Sequence, residues 1–225
     1  MPWRGAPETV ATFMYPNPAV VWPAPFLVCV ARALFDTGFT GSVRLSRKPT
    51  DPEAGKPVHR AEDAPTATHD DVYRLYFHGP AYQVVAEGWQ DDGAAVARFA
   101  TDLPPNHEPV DLPTVLGPRL VELCFQTAGL WEAGRTGRLA LPAHVGSVLL
   151  VSTAPKDGDG ALLAVARAVT ADADGPASFD CALVDDEGRV ILRIEDYRTV
   201  ALPAELPDEI RKPLEVVMAD AGESR

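Results

Sequence analysis

Residues 117–134 read GPRLVELCFQTAGLWEAG. Set at about 100° per residue, Leu120, Val121, Cys124, Ala128 and Trp131 fall on one side of a helix, and Leu123, Phe125 and Leu130 fill its flanks. A helix apolar almost all round is the kind found buried inside a larger fold. Pro118 suits the first turn, where no N–H is needed, and Gly134 marks the expected end. Glu122 and Gln126 break the pattern, about 40° apart on the helix surface, with the small residues Gly129 and Ala133 beside them. A carboxylate in such a place is costly unless it is paired, hydrogen-bonded or used. The pair therefore reads either as a satisfied polar contact against a loop or as a working acid with its amide support.

A helix apolar on every side is buried only if a sheet curls round it, and the flanking sequence supplies strands. YQVVAEGW (82–89) and AAVARFA (94–100) read as strands joined by the turn QDDG. After the helix come VGSVLLVST (145–153), ALLAVARAVTA (161–171), SFDCALVD (178–185) and RVILRIEDYRTV (189–200), with DDEG at 185–188 as a hairpin signal. The expected class is α+β, an antiparallel sheet wrapped round a central helix. Residues 1–25 are too rich in proline for a long helix or central strand. FLVCVARALF (26–35) is a strand or a short helix, and GSVRLSR (41–47) alternates as a strand does. Residues 48–69 read as a linker or long loop, and TDLPPNHEPVDLP (101–113) as a proline-rich connection. A short helix is expected around Asp208–Ala219 in an otherwise polar tail.

The chain has 225 residues and a formal net charge of −12, which argues against nucleic acid as a main partner. Cys29, Cys124 and Cys181 form neither a zinc nor a redox spacing; Cys124 and Cys181 read as buried free thiols, and a reducing, cytoplasmic setting follows. No apolar run is long enough to span a membrane, and the N-terminus lacks a signal-peptide pattern. The acidic stretch EDAP…TATHDD reads as a solvated linker rather than a metal site.

YRLYFHGPAYQVV (73–85), PRLVELCFQTAG (118–129), LALPAHVGSVLL (139–150) and CALVDDEGRVILRIEDYRTVALP (181–203) together resemble the dehydratase domains of polyketide and polyunsaturated fatty acid synthases. The enediyne-type subgroup is the nearest, and mainly the C-terminal half of its double hot-dog fold. Glu122 stands where that family usually has Asp, and Gln126 at its Gln/His position. TGFTGSVRLSR (37–47) is similar to the last strand of the N-terminal half. The resemblance implies residues 1–69 as an irregular leader, a remnant of an N-terminal hot dog and a linker; 70–203 as a complete hot dog; and 204–225 as a polar tail. The family's catalytic His lies in a His-x-x-x-Gly-x-x-x-x-Pro motif. None of His59, His69, His78, His107 and His144 has the Gly and Pro at those offsets.

What the resemblance implies chemically is elimination of water from a 3-hydroxyacyl thioester. A general acid must protonate the departing hydroxyl while a base takes the Cα proton, the two on opposite sides of one channel. Glu122 is the expected acid, and Gln126 the amide that holds it or the leaving water. N–H groups at the helix start, near Gly117 and Pro118, are aimed at the thioester carbonyl in this reading. His78, Gly79, Pro80 and Tyr82 are the expected wall of the acyl channel, His78 otherwise being a turn histidine after a strand-like run. His107 and His144 read as loop histidines. No metal and no cofactor are called for, since the substrate travels on the phosphopantetheine of an acyl carrier protein. Other synthase domains are implied as partners, and a homodimer as the assembly. A non-catalytic hot-dog module that binds an acyl chain or dimerises, and a hot-dog thioesterase, are the competing functions.

Overall fold

The computed structural model describes residues 10–11, 41–42, 55, 57–106, 117–151, 161–170 and 176–219. Most of the leader, the 26–35 stretch with Cys29, most of the 37–47 strand, and residues 107–116 with His107 lie outside the described residues. Two short strands, β1 (Val10–Ala11) and β2 (Gly41–Ser42), pair antiparallel. Among the described residues the other strands form one seven-stranded antiparallel sheet, accompanied by three α-helices.

The linker expected over 48–69 ends earlier than its composition suggests. Thr66–Thr68 forms an edge strand, β3, and His69–Leu75 forms helix α1. The reason is local: Thr68 and Asp71 close a reciprocal capping box, each side chain bonding to the other's backbone N–H. The run before His78 is therefore a helix and not a strand. A single 3-10 turn, Pro80–Tyr82, follows it.

β4 (Val85–Asp91) and β5 (Ala94–Phe99) make the predicted hairpin. Asp92 and Gly93 both take left-handed backbone, with φ of 47° and 76°. That is the two-residue turn whose twist matches its strands, and Asp-Gly favours it. The connection at 185–188 turns likewise at Gly188, φ 81°, between β8 (Ser178–Asp185) and β9 (Val190–Glu205). β6 (Arg138–Leu150) and β7 (Leu162–Thr170) complete the sheet, in the order β3-β4-β5-β7-β8-β9-β6. His144 thus stands in an edge strand, beside a bulge, and not in a loop.

Helix α2 (Pro118–Thr136) lies in the curl of this sheet and touches β4, β5, β6, β7 and β8. Leu120, Leu123, Cys124, Ala128, Leu130 and Ala133 are buried round its circumference, as its all-round apolar pattern requires. The helix ends later than Gly134: Gly137 supplies the left-handed cap, φ 67°. Gly134 serves another purpose. A Cβ there would stand 2.6 Å from Met218 Cβ and 2.7 Å from the Leu214 carbonyl oxygen. Both atoms belong to α3 (Asp208–Met218), the helix expected near the C-terminus, which buries Leu214, Val217 and Met218 against α2. Cys124 and Cys181 are buried and free, and burial pushes the Cys124 thiol up to about 12.

Candidate active site

Four segments converge on the first half of α2: the helix itself, α1, the turn after α1, and the start of β4. Gln126 is the hub. It is only 2% exposed and sits directly under α1. Tyr73 Oη accepts the Val85 N–H at 2.8 Å and lies 2.8 Å from Gln126 Oε1. The lone pair is thus occupied by the amide N–H, so the phenol proton points at Gln126 Oε1. This fixes the orientation of the Gln126 amide. Its Nε2 donates one proton to the Tyr82 carbonyl, 3.0 Å, and the other to Glu122 Oε1, also 3.0 Å.

Burial pushes the Tyr73 phenol well above its ordinary value near 10, and the neighbouring Glu122 charge adds to the rise against the Val85 N–H. Tyr76 is raised in the same way, by burial first. Both phenols remain neutral donors through the physiological range. Tyr76 gives its proton to the Gln126 backbone carbonyl at 2.8 Å. That contact needs Gly129, because a Cβ at this position would run into the Tyr76 hydroxyl. The small residue beside the polar pair makes room for a tyrosine.

Glu122 has a second neighbour. His78 Nε2 lies 3.0 Å from the same Oε1, with side chains 26% and 23% exposed. The carboxyl is therefore at the surface of the network and not sealed within it. Gln83 Nε2 donates to the His78 carbonyl at 3.1 Å and pins the turn. Phe77, 81% exposed, stacks on the His78 ring with planes 4° apart.

Of the residues singled out by sequence, Glu122, Gln126, His78 and Tyr82 are brought together; Tyr82 takes part through its backbone carbonyl. Gly79 and Pro80 are exposed in the turn between His78 and Tyr82. Gly117 caps α2 and Pro118 opens it. Next to them, Arg119 clamps the turn by donating from Nε to the Ala81 carbonyl at 2.9 Å and from Nη2 to the Pro104 carbonyl. The Leu120 N–H is already taken by the Gly117 carbonyl at 2.7 Å. Pro80 and Gln83 line a cleft of about 390 Å³ together with Leu103 and Pro104, and a second cleft of about 340 Å³ lies by Asp91 and Arg167. Glu122 lines neither. Among the described residues no group of His, Cys, Asp and Glu could hold a metal ion, and no helix is long and apolar enough to cross a membrane. Sequence reasoning missed Tyr73 and Tyr76 as the supports of the site. Their spacing of one helical turn in HDDVYRLY, behind a capping pair, was the available signal.

The family profile described as the polyketide synthase dehydratase N-terminal domain matches residues 47–209, well over half of the chain. The chain belongs to the polyketide synthase dehydratase family. Its fold is shared with a trans-AT polyketide synthase dehydratase domain from Brevibacillus brevis, at 15% identity and a TM-score of 0.55, over 74% of this chain and 59% of that one. It is also similar to the dehydratase domain of RzxB from Pseudomonas fluorescens, with 18% identity and a TM-score of 0.51 over 72% of this chain and 56% of that one. A third is the dehydratase domain from the CurJ module of curacin polyketide synthase, with 14% identity and a TM-score of 0.52 over 72% and 56%. The chain thus spans under two thirds of these domains. No curated protein matches it. As a member of this dehydratase family the chain carries the expected hot-dog arrangement, a sheet wrapped round one helix, with Glu122 on that helix.

Proposed function

We propose that this dehydratase-family chain acts on 3-hydroxyacyl groups carried as thioesters on an acyl carrier protein, in polyketide or fatty acid synthesis, and yields the 2-enoyl thioester by syn elimination of water. The observation that carries this reading is the Glu122 carboxyl, partly exposed on the central helix and hydrogen-bonded by Gln126. In the reaction the Cα–H electron pair becomes the double bond and the Cβ–O pair leaves with oxygen. Glu122 gives its proton to that oxygen, which departs as water. The Cα proton goes to an imidazole base, which in the family belongs to the N-terminal hot dog. Residues 1–69 would contribute a remnant of that half, and a second chain in a homodimer, or another synthase domain, would complete it. Residues 70–203 correspond in this reading to the C-terminal half of an enediyne-type dehydratase, in a cytoplasmic enzyme.

Glu in place of the family's Asp is longer by one methylene. A shift of about 1 Å in a reacting group costs on the order of 10²-fold in rate, so slow turnover is expected. A second reading, a non-catalytic hot-dog module that binds acyl chains or dimerises, draws support from the five histidines of the sequence, none of which stands in the family's His-x-x-x-Gly-x-x-x-x-Pro spacing. Incubation with a 3-hydroxyacyl carrier-protein thioester separates the readings. Enoyl product supports the dehydratase, free acid a hot-dog thioesterase, and binding without turnover the passive module.

A further inference from the structure

Glu122, Phe125 and Gly129 stand at i, i+3 and i+7 of α2, on one stripe of the helix. Each is only partly buried, while Leu123, Cys124, Gln126, Thr127 and Ala128 between them are closed off. A furrow thus runs from Glu122 along the helix for about 10 Å. Three tyrosines lie against this part of α2, and the Glu122 charge adds to burial in raising all three phenols. Two of the hydroxyls are spent: Tyr73 on Gln126 Oε1 and the Val85 N–H, Tyr76 on the Gln126 carbonyl. The third, Tyr197 of β9, is 2% exposed and stacks on Phe125 with ring centres 4.4 Å apart. Its ring also packs on Phe179 at 6.3 Å. Among the described residues no hydrogen bond reaches its hydroxyl. Nor is that oxygen sealed from solvent without a partner, as His78 Nδ1 is, so it meets open space. Phenylalanine would make the same ring contacts. A buried tyrosine normally gives its hydroxyl a partner, and an exception calls for one from outside the chain.

We propose that Tyr197 is a substrate-binding residue: its hydroxyl hydrogen-bonds a second oxygen of the acyl chain, the one on C5, when the C3 hydroxyl lies at Glu122. This rests on the dehydratase reading and narrows its substrate class to chains oxygenated at alternate carbons. Phe125, which carries the Tyr197 ring, lies three residues beyond Glu122, about 4.5 Å along the helix axis. That interval is comparable with the separation of the oxygens on C3 and C5 of one chain. Acyl chains assembled from two-carbon units carry their oxygens at this spacing. The partly exposed Phe125 ring gives the carbons between them an apolar floor. The phenol stays protonated because burial raises it, so it donates to a ketone or a hydroxyl oxygen alike.

The test uses the full chain with the pantetheine thioesters of 3-hydroxyhexanoate and 3,5-dihydroxyhexanoate. Wild type should favour the dihydroxy chain by about 3- to 10-fold in kcat/KM, the worth of one neutral hydrogen bond. Tyr197→Phe keeps the ring stack and should bring the two chains to within about twofold of each other, the change that loss of that one bond implies. Its unfolding midpoint should equal or exceed that of wild type, since an unspent hydroxyl adds nothing to the fold. The same preference in wild type and variant, no preference in wild type, or a clearly lower midpoint in the variant would overturn the role of Tyr197 and leave the dehydratase reading standing. If neither thioester yields enoyl product, the dehydratase reading falls. Calorimetric binding of the same two thioesters then decides Tyr197 by itself: a lower Kd for the dihydroxy chain that disappears in Tyr197→Phe sustains the contact, and equal Kd values or no binding end it.

Discussion

Helix α2 carries two glutamates, and its two halves treat them differently. In the first half Glu122 accepts a hydrogen bond from Gln126 Nε2, has His78 Nε2 3.0 Å from the same oxygen, and keeps an edge toward solvent. In the second half Glu132 is 2% exposed, and its Oε2 accepts a hydrogen bond from the Thr199 hydroxyl at 2.6 Å. The second half is also the tightly packed one: Gly134 lies against α3, and Trp131 Nε1 donates to the Gly93 carbonyl at 3.0 Å. A residue type on a helix does not announce its use. The difference lies in what covers it. A turn and a short helix, held off by tyrosines, leave Glu122 reachable. The sheet and α3 bury Glu132, and burial pushes its carboxyl above the ordinary value near 4.5 against the pull of Thr199. One carboxyl is left within reach of a ligand and the other is packed away.

The largest effect that would break this comparison is on turnover. Glu122→Gln should lower kcat by about 10²- to 10⁴-fold, the usual worth of a general acid, with a denaturation midpoint close to wild type because the side chain is partly exposed and the amide keeps an oxygen that can accept from Gln126. Equal loss from Glu132→Gln, in a variant that still folds, would show that the wrong glutamate has been assigned the work. Next comes the packing half. Gly134→Ala should destabilise the fold by about 1–3 kcal/mol, as an overpacked contact does, since its Cβ meets α3 backbone that cannot step aside. Urea unfolding would measure this. A stability equal to wild type would mean that α3 sits more loosely on α2 than its burial of Leu214 and Met218 implies.

The fold was legible because its decisive signals are local or periodic. The all-round apolar face of α2, the Asp-Gly turn at 92–93 and the alternation in 178–185 each depend on a few neighbouring residues. The site was half legible. Glu122 and Gln126 stood out as polar residues on an apolar helix. Their holders did not, because Tyr73 and Tyr76 reach Gln126 from positions far away in the chain, a distance no periodicity encodes. The helix α1 that carries them hides in a segment whose charge and small residues imitate a linker, and only the Thr68–Asp71 capping pair reveals it. His78 reads from sequence as a turn histidine or, if used, as part of the channel wall. Its approach to Glu122 depends on how the turn folds back over α2, set by Arg119 and Gln83 contacts to backbone carbonyls. Glu132 was passed over, since one acidic residue near the end of a helix looks like a solvated one.

A smaller effect tests the wiring. Tyr73→Phe removes the donor to Gln126 Oε1 and the acceptor of the Val85 N–H. Leaving both unpaired should cost about 1–3 kcal/mol of stability. It should also free the Gln126 amide to turn, so that turnover falls along with stability. Tyr76→Phe, which only releases a helix carbonyl, should cost less on both counts. Equal losses from the two variants would show that Tyr73 acts on packing rather than through Gln126.

The smallest effect sharpens the contrast between the carboxyls, through the pH dependence of stability. The folded-state value of Glu132 is raised, so between about 4.5 and that higher value the native state holds a proton which the unfolded chain has released. Its contribution to stability is therefore fully present below the ordinary value and declines as pH rises through the raised one. Wild-type protein should gain stability on acidification from neutral pH toward 5, relative to Glu132→Gln, whose amide does not titrate. Thermal unfolding of both proteins across that range gives the slope. Parallel curves would mean that Thr199 and its surroundings accommodate the charge after all. The two halves of α2 would then differ in exposure alone and not in how they hold a carboxylate.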